Sequence, residues 1–152
     1  MLTSNGANNQ QYLKVAIGAA KKAAPVFKKY FGKPKTVSQK NGNPRDLVTE
    51  IDGHIERIIK QEILKSFPNH EILGEEYGLF SSSSPAKERV GRGRKFKWFI
   101  DPIDGTGNYI QGLAFCCISI ALWDEKGPLA SVIFEPINNL ISAVNKVSQG
   151  DI

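Results

Sequence analysis

Cysteine and long apolar runs are scarce in this chain of 152 residues. Its two cysteines are adjacent, at Cys116 and Cys117. Because neighbouring cysteines rarely bridge each other, we expect no disulfide framework and two reduced thiols buried in the surrounding apolar run. A reducing, cytoplasmic setting follows as the expectation.

The sequence also lacks segments that are typical of membrane insertion or secretion. No stretch approaches the roughly 20 apolar residues that cross a bilayer. Residues 1–10 are polar and lack the apolar centre of a secretion signal. We therefore expect a soluble protein without membrane association.

Neither sign of charge dominates. The 20 basic residues exceed the 15 acidic ones by five, and they are scattered rather than massed on one periodic face. This pattern argues against nucleic acid as a partner and is compatible with small anionic substrates. The length fits one domain, and the 41% of hydrophobic residues is enough to form its core.

The periodicity of apolar residues predicts an α+β domain. Helical spacing occurs at 11–30 and 46–67, joined by a loop at 32–44. A mobile surface loop, rich in serine and arginine, is predicted at 80–95. Short apolar runs bounded by turn residues predict strands at 70–73, 96–100, 115–123, 129–135 and 140–147. This order indicates helices packed on one face of a mostly antiparallel sheet.

A hydrophobic strand leads directly into residues 101–106, which read DPIDGT. Asp101 and Asp104 lie close enough in the chain to converge on one cluster of hard divalent cations, which prefer carboxylate oxygens. Gly105 allows a ligand to approach the backbone closely, and Thr106 stands at a helix start, where amide groups favour an anion. The segment thus combines candidate metal ligands with a phosphate cradle.

Two earlier segments carry further carboxylates, but each has a plain structural explanation. Residues 74–76 read GEE directly after a predicted strand, and paired glutamates are common on exposed turns. At the start of the second helix, Asp46 or Thr49 could simply be the N-cap. Neither segment is decisive by itself.

Taken together, the three segments resemble the inositol monophosphatase family. The resemblance extends over nearly the whole chain, in matching order and spacing, and implies the N-terminal half of that family's α+β fold. The matching runs are DLVT at 46–49 with Asp52, GEE at 74–76, and WFIDPIDGT at 98–106 with Asn108 and Tyr109.

The resemblance implies a set of metal ligands. Glu75 would bind one cation, Asp101 would bridge two, Ile103 would ligate through its backbone carbonyl, and Asp104 would bind the second cation. Glu76 would support the site from outside the ligand shell. The implied cofactor is Mg²⁺, as two or three ions, with the lithium sensitivity typical of the family.

The resemblance also implies catalytic and substrate-binding roles. Amide groups of Gly105 and Thr106 would hold the phosphate, and the Thr106 hydroxyl, supported by Asp52, would help Glu75 to orient and deprotonate the attacking water. The implied reaction is direct hydrolysis of a phosphate monoester, most simply inositol monophosphate or a related sugar phosphate. Histidinol phosphate, fructose bisphosphate and nucleotide bisphosphate stay open as alternatives, and the family also suggests a homodimer.

The main departure from the family concerns a later Trp-Asp motif, whose aspartate completes the second metal site. The printed sequence reaches Ile152 without it, and Trp123-Asp124 comes too early in the fold to be its equivalent. We therefore expect residues 1–152 to form a single, C-terminally truncated domain. A catalytically inactive metal-binding fragment is the alternative, as is RNA or DNA binding through residues 89–97.

Two histidines complete the inventory of possible metal ligands. His54 and His70 each stand alone, and the acidic set around them suits Mg²⁺ rather than Zn²⁺. Both are expected on a surface or helix face.

Overall fold

Helices and strands alternate through the parts of the chain that the structure describes. This structure is a computed structural model, and it describes residues 4–33, 37–39, 47–80 and 95–145. Within these ranges the helices are α1 (Ser4–Tyr30), α2 (Glu50–Ser66) and α3 (Thr106–Gln111). The strands are β1 (Val37–Gln39), β2 (Leu47–Thr49), β3 (Glu71–Gly74), β4 (Gly78–Phe80), β5 (Lys97–Asp104), β6 (Cys117–Asp124), β7 (Gly127–Glu135) and β8 (Leu140–Asn145).

Six of the strands form one sheet in the order β4-β3-β5-β6-β7-β8, and β1 pairs with β2 separately. Every pairing in the larger sheet is antiparallel except that of β3 with β5, which is parallel. The predicted class, α+β with a mostly antiparallel sheet, is confirmed. The parallel pair was not predicted, and it determines the geometry of the candidate site.

The start of the second predicted helix was wrong. Residues 47–49 form β2, and α2 begins only at Glu50. Thr49 is the N-cap: its hydroxyl accepts the Ile51 N–H, while the Asp52 carboxylate accepts the Thr49 N–H at 2.8 Å. This capping box satisfies amides that have no partner inside the helix, so the strand ends and the helix begins at this residue.

Two other predicted boundaries change. The predicted loop at 32–44 contains β1, which pairs with β2 and so is not wholly irregular. The first helix begins earlier than expected, at Ser4, and continues through Pro25. Of the predicted mobile loop at 80–95, Phe80 belongs to β4 and residues 81–94 lie outside the described part of the chain.

The core lies between one face of the large sheet and helices α1 and α2. Side chains at alternate positions of β5, β6 and β7 point to this face and are buried against the helices. A stripe of alanines on α1 lets α2 approach closely, because their side chains take little space. The fully buried alanines and their larger neighbours include Ala19, Ala20, Ala23, Phe27, Ile55, Ile59, Ile63, Trp98, Ile118, Ile120 and Leu122.

The opposite face of the sheet carries partly exposed apolar side chains. Phe99, Trp123 and Ile133 point away from the helices and retain 37%, 45% and 43% of their accessible surface. The candidate site lies on this same face. None of the helices in the described residues is both long and apolar enough to span a bilayer.

His70 is not the surface histidine that was expected. Its ring stacks between Phe67 and Phe96, with centroid distances of 4.7 and 4.6 Å. Its Nδ1 accepts the indole N–H of Trp98 at 3.0 Å. Burial in this aromatic cluster disfavours the imidazolium and lowers the pKa of His70 to about 4.

Acidification should therefore destabilise the fold through His70. The folded-state pKa is below the unfolded value of about 6.5, so the unfolded chain takes up the proton first and stability falls as the pH drops from about 6.5 to 4. Between pH 7 and pH 5 the loss should reach at most about 2 kcal/mol. Urea unfolding at the two pH values measures it.

The His70→Phe variant keeps the stacking and removes the titrating group. Its unfolding free energy should depend less steeply on pH than that of the unaltered chain, whereas His54→Asn, at an exposed position on α2, should not change the dependence. Equal slopes for His70→Phe and the unaltered chain would contradict this account of the cluster.

Candidate functional site

A β-bulge in β5 brings Asp101 and Asp104 to the same face of the sheet. Asp101 pairs with Ser119 and Asp104 with Cys117, so three steps along β5 correspond to two along β6. The extra residue reverses the alternation of side chains, and Pro102 and Ile103 are both buried in succession. Both aspartates consequently point to the face away from the helices.

The parallel pairing of β3 with β5 places Glu75 beside Asp101. Gly74 is in register with Ile100, and the Glu75 N–H donates to the Ile100 carbonyl at 3.1 Å. The next residue of each chain segment is therefore an acid, and the two carboxyl groups are in hydrogen-bond contact. This contact is the central feature of the candidate site.

The closeness of these two acids has a consequence for the pKa of Asp101. Burial, then the hydrogen bond and negative charge of Glu75, and then the charge of Asp104 raise the pKa of Asp101 to about 7. Two carboxylates held this closely repel each other unless a proton or a cation lies between them. The arrangement thus favours a bound cation at neutral pH.

The backbone between the aspartates is folded back on itself. The Asp101 carboxylate accepts the Ile103 N–H at 3.2 Å, and the Ile103 carbonyl accepts the Thr106 hydroxyl at 2.9 Å. Gly105 has φ of 84°, and a Cβ there would lie 2.8 Å from the Phe115 carbonyl oxygen. Only glycine fits this position, so the tight passage from β5 into α3 depends on Gly105.

Helix α3 is held in place by hydrogen bonds to α1 and to the segment before β6. The Tyr109 side chain is fully buried, and its hydroxyl donates to the Phe27 carbonyl of α1 at 2.8 Å. Asn108 donates to the Phe115 carbonyl at 2.8 Å and so ties the helix to the segment that leads into β6. These contacts hold the first turn of α3, with Thr106, at the end of the bulged strand.

Asp52 reaches the site from α2. It is 1% exposed, and besides capping the helix it lies 3.3 Å from the Thr106 hydroxyl. Burial is the main cause that raises the pKa of Asp52, and its hydrogen bonds from Thr49 and Thr106 oppose the shift. The capping interpretation and the contact with Thr106 both hold for this one carboxylate. Asp46 lies outside the described residues.

Two open cavities flank the carboxylates. One, of about 380 Å³, is lined by Glu75 and Asp101 together with Ser119. The other, of about 330 Å³, is lined by Asp104 and Gly105 together with Cys117. The predicted site residues therefore share one surface region but divide it into two adjacent depressions.

Cys117 contributes to the second cavity, which sequence reasoning did not anticipate. Cys116 is buried as expected and both thiols are free, but Cys117 is partly exposed on the site face. Its Sγ lies 3.7 Å from the Asp104 carboxylate. Burial and the charge of Asp104 raise the pKa of Cys117 to about 12, so this thiol is a neutral neighbour of the acid.

The oxygen atoms of the candidate site are of the kind that bind hard divalent cations. Among the described residues, no three side chains of His, Cys, Asp and Glu are arranged to hold a single ion. The oxygens fit such cations in pairs: Glu75 with Asp101, and Asp101 beside Asp104, with the Ile103 carbonyl in the same turn. The residues present therefore suit a hard divalent cation such as Mg²⁺ chemically.

An acidic face, a glycine turn and a helix start thus lie side by side at the end of β5. The model of the inositol monophosphatase family matches residues 8–149, and the chain belongs to this family.

Named relatives agree with this assignment. The chain is 37% identical over 129 residues to a fructose-1,6-bisphosphatase/inositol-1-monophosphatase of Aquifex aeolicus, covering 85% of this chain and 45% of that protein. An IMPase structure from Thermotoga maritima matches with a TM-score of 0.75 and 30% identity, covering 93% and 52% of the two chains. A structure titled as an IMPase/NADP phosphatase complexed with Mg²⁺ and phosphate has a TM-score of 0.70 and 25% identity, over 95% and 50%. The chain thus spans about half the length of these relatives.

Replacing Asp101 by asparagine should stabilise the metal-free chain. Because the folded-state pKa of Asp101 is above its unfolded value, folding favours the protonated acid, and stability declines as the pH rises from about 4 to 7. In EDTA, Asp101→Asn should be more stable than the unaltered chain at pH 8, on the order of 1–2 kcal/mol, with a smaller advantage at pH 4.

Saturating Mg²⁺ should reverse this order, since the cation stabilises only the chain that keeps both carboxylates. Chemical unfolding with and without Mg²⁺ measures both effects. Glu125→Gln, an exposed turn position, removes the same charge and should change neither. An Asp101→Asn chain less stable than the unaltered one in EDTA at pH 8 would contradict the repulsion inferred here.

Proposed function

We propose that this chain carries the metal-binding half of a Mg²⁺-dependent phosphate monoesterase site. The observation that supports this proposal is the contact of Glu75 with Asp101 on one face of the sheet, next to Asp104 and the Gly105–Thr106 turn. Two acids in contact at a strand end are costly without a cation. Carboxylate and carbonyl oxygens attract a cation, and backbone amides attract a phosphate. The two kinds of group lie side by side here, so together they suit a cation–phosphate pair.

In the proposal, Glu75, Asp101 and the Ile103 carbonyl would hold one cation, and Asp101 and Asp104 would hold a second. When bound, Mg²⁺ supplies the positive charge that activates water and offsets negative charge on the reacting phosphate. The structure titled with Mg²⁺ and phosphate, a relative with the same fold, supports this choice of cation. Carboxylate and carbonyl oxygens are also the donors that Mg²⁺ prefers.

The remaining groups orient the reactants. Amides of Gly105 and Thr106, at the beginning of α3, bind the phosphate oxygens. The Thr106 hydroxyl and Asp52, 3.3 Å apart, position the attacking water, and Glu75 accepts its proton. Phosphoryl transfer needs chiefly positioning and charge stabilisation, so few protein bases are required.

The substrate class is a small phosphorylated metabolite, and inositol monophosphate or a related sugar phosphate is proposed. The names of the relatives include inositol monophosphatases and a fructose-1,6-bisphosphatase/inositol-1-monophosphatase. The 330 Å³ cavity beside Asp104 and Gly105 is large enough for such a molecule. Its exposed rim residue Phe115 offers an apolar surface to a sugar ring.

A second candidate function is a binding-only chain that holds Mg²⁺ weakly and turns nothing over. Asp104 is exposed, and the described residues provide no three-carboxylate group for one ion. The relatives are about twice as long as the matched span, so about half of each relative has no counterpart in it. This observation favours a slow or inactive chain of 152 residues.

Phosphate release from inositol monophosphate, with Mg²⁺ varied, separates these functions. The assay should use the 152-residue chain and a chimera in which its residues 1–145 are followed by the second half of the Aquifex relative. The chimera should hydrolyse the substrate, and Asp101→Asn or Glu75→Gln should lower its kcat at least about a hundredfold, because each removes a ligand charge. Glu71→Gln, at the start of the strand that ends just before Glu75, is the matched control and should retain activity.

The outcomes discriminate clearly. A 152-residue chain as active as the chimera would refute the binding-only alternative. Full activity of a folded chimera carrying Asp101→Asn at low Mg²⁺ would remove Asp101 from the site and defeat the proposal.

A further inference from the structure

Helix α2 places two buried carboxylates one turn apart on the face that it presents to the site. Asp52 and Glu56 are each 1% exposed, although all their buried neighbours on this face are isoleucines. Burying a carboxylate is costly unless it is hydrogen-bonded. Asp52 is accounted for by Thr49 and Thr106, whereas Glu56 has had no role so far.

Glu56 lies under the turn that carries Glu75. Its Oε2 accepts the Glu76 N–H at 2.7 Å, and its Oε1 accepts the Tyr77 N–H at 3.3 Å. Both donors are backbone amides of the two residues that follow Glu75. A single carboxylate from α2 therefore satisfies two amides of the turn between β3 and β4.

Gly74 makes this contact possible. A Cβ at Gly74 would lie 1.9 Å from Glu56 Oε1 and 2.2 Å from its Cδ, far inside van der Waals contact. Gly74 is paired on both sides, with Ile100 of β5 and with Gly78 of β4, so its backbone cannot move away easily. The glycine before Glu75 thus provides the space that the Glu56 carboxylate occupies.

We propose that Glu56 is a positioning residue that fixes the Glu75 backbone, and thereby the Glu75 carboxylate, beside Asp101. The inference rests on the proposed function of Glu75 as a metal ligand. The Glu75 N–H is held by the Ile100 carbonyl at 3.1 Å, and the next amide is held by Glu56 at 2.7 Å. Both peptide units around Glu75 are therefore fixed, one by β5 and one by α2.

The two buried acids of α2 then hold two different parts of the site. Asp52 contacts Thr106 at the end of the bulged strand, and Glu56 contacts the turn that carries Glu75. Their spacing of four residues puts them on one face of the helix. The rigid helix consequently sets the distance between the metal-ligand turn and the phosphate-binding turn.

A carboxylate is needed at this position, because both of its oxygens accept. In Glu56→Gln the side-chain oxygen can accept one backbone N–H. The side-chain NH₂ group then faces the other backbone N–H and cannot accept it. Glu56→Gln should therefore speed hydrogen exchange at Glu76 or Tyr77 about tenfold. Exchange in the rest of α2 and in β5 should change little, and the readout requires neither metal nor substrate.

Cation binding supplies the second readout. Titration of the 152-residue chain with Mg²⁺, followed by amide chemical shifts, should give a dissociation constant about tenfold higher for Glu56→Gln. Glu62→Gln is the matched control, since Glu62 lies on α2 but pairs with Lys22 and Lys65 at the surface. Its dissociation constant and amide exchange at the turn should equal those of the unaltered chain.

The Gly74→Ala variant tests the contact from the other side. The new methyl group displaces Glu56, so Gly74→Ala should have the same local effects as Glu56→Ala. The double variant, Gly74→Ala with Glu56→Ala, should bind Mg²⁺ no more weakly than Gly74→Ala alone. This arm keeps the inference testable if one variant folds poorly.

The inference is overturned if Glu56→Gln leaves amide exchange and the Mg²⁺ dissociation constant within twofold of the unaltered chain. Uniformly faster exchange across α2 and the sheet, which indicates a general loss of stability, would overturn it too, as would additive effects of Gly74→Ala and Glu56→Ala. Absence of hydrolysis in every variant and in the chimera would count against the proposed function. Amide exchange at the turn would still test Glu56.

Discussion

The contact between the Glu75 and Asp101 carboxyl groups is the constraint on which the site depends. It follows from the parallel pairing of β3 with β5, which puts the residues after Gly74 and Ile100 side by side. Burial, followed by the hydrogen bond and the negative charge of Glu75, raises the pKa of Asp101 to about 7. The fold tolerates this cost because the hydrophobic core, the sheet and α2 hold both backbones in place, and a bound cation would offset it.

The scaffold around this contact is rigid where the chemistry needs precision. Asp52 and Glu56 extend from one helix to two separate turns, and Tyr109 ties the start of α3 to α1. Each of these groups is buried, so it makes its hydrogen bonds in a medium where they are strong. The solvent-facing part of the site is thus held in place by polar groups that are themselves buried.

Sequence reasoning proposed the residues of the candidate site, but it did not give their geometry. The run at 101–106 signalled acids at a strand end, but a bulge, which turns Asp104 back to the face of Asp101, has no distinct signature in a sequence. The parallel pairing could not be derived either, because it depends on where β3 enters the sheet. Glu56 did leave a trace: it is an acid inside an apolar helical stripe, four residues after Asp52. His70 misled because its burial arises from aromatic residues distant in the chain.

The openness of the site limits what this half of the family fold can do alone. Glu75 and Asp101 line a depression that is open to solvent, on the same side of the sheet as the half-exposed Phe99 and Trp123. Water weakens the attraction between carboxylates and a cation, because the effective dielectric constant rises with exposure. The same oxygens bind more strongly when a covering layer removes that water. Since the apolar side chains adjoin the acids on one face, anything that packs on them also removes water from the two carboxylates, so the affinity of these carboxylates for a cation is physically coupled to the covering of this face.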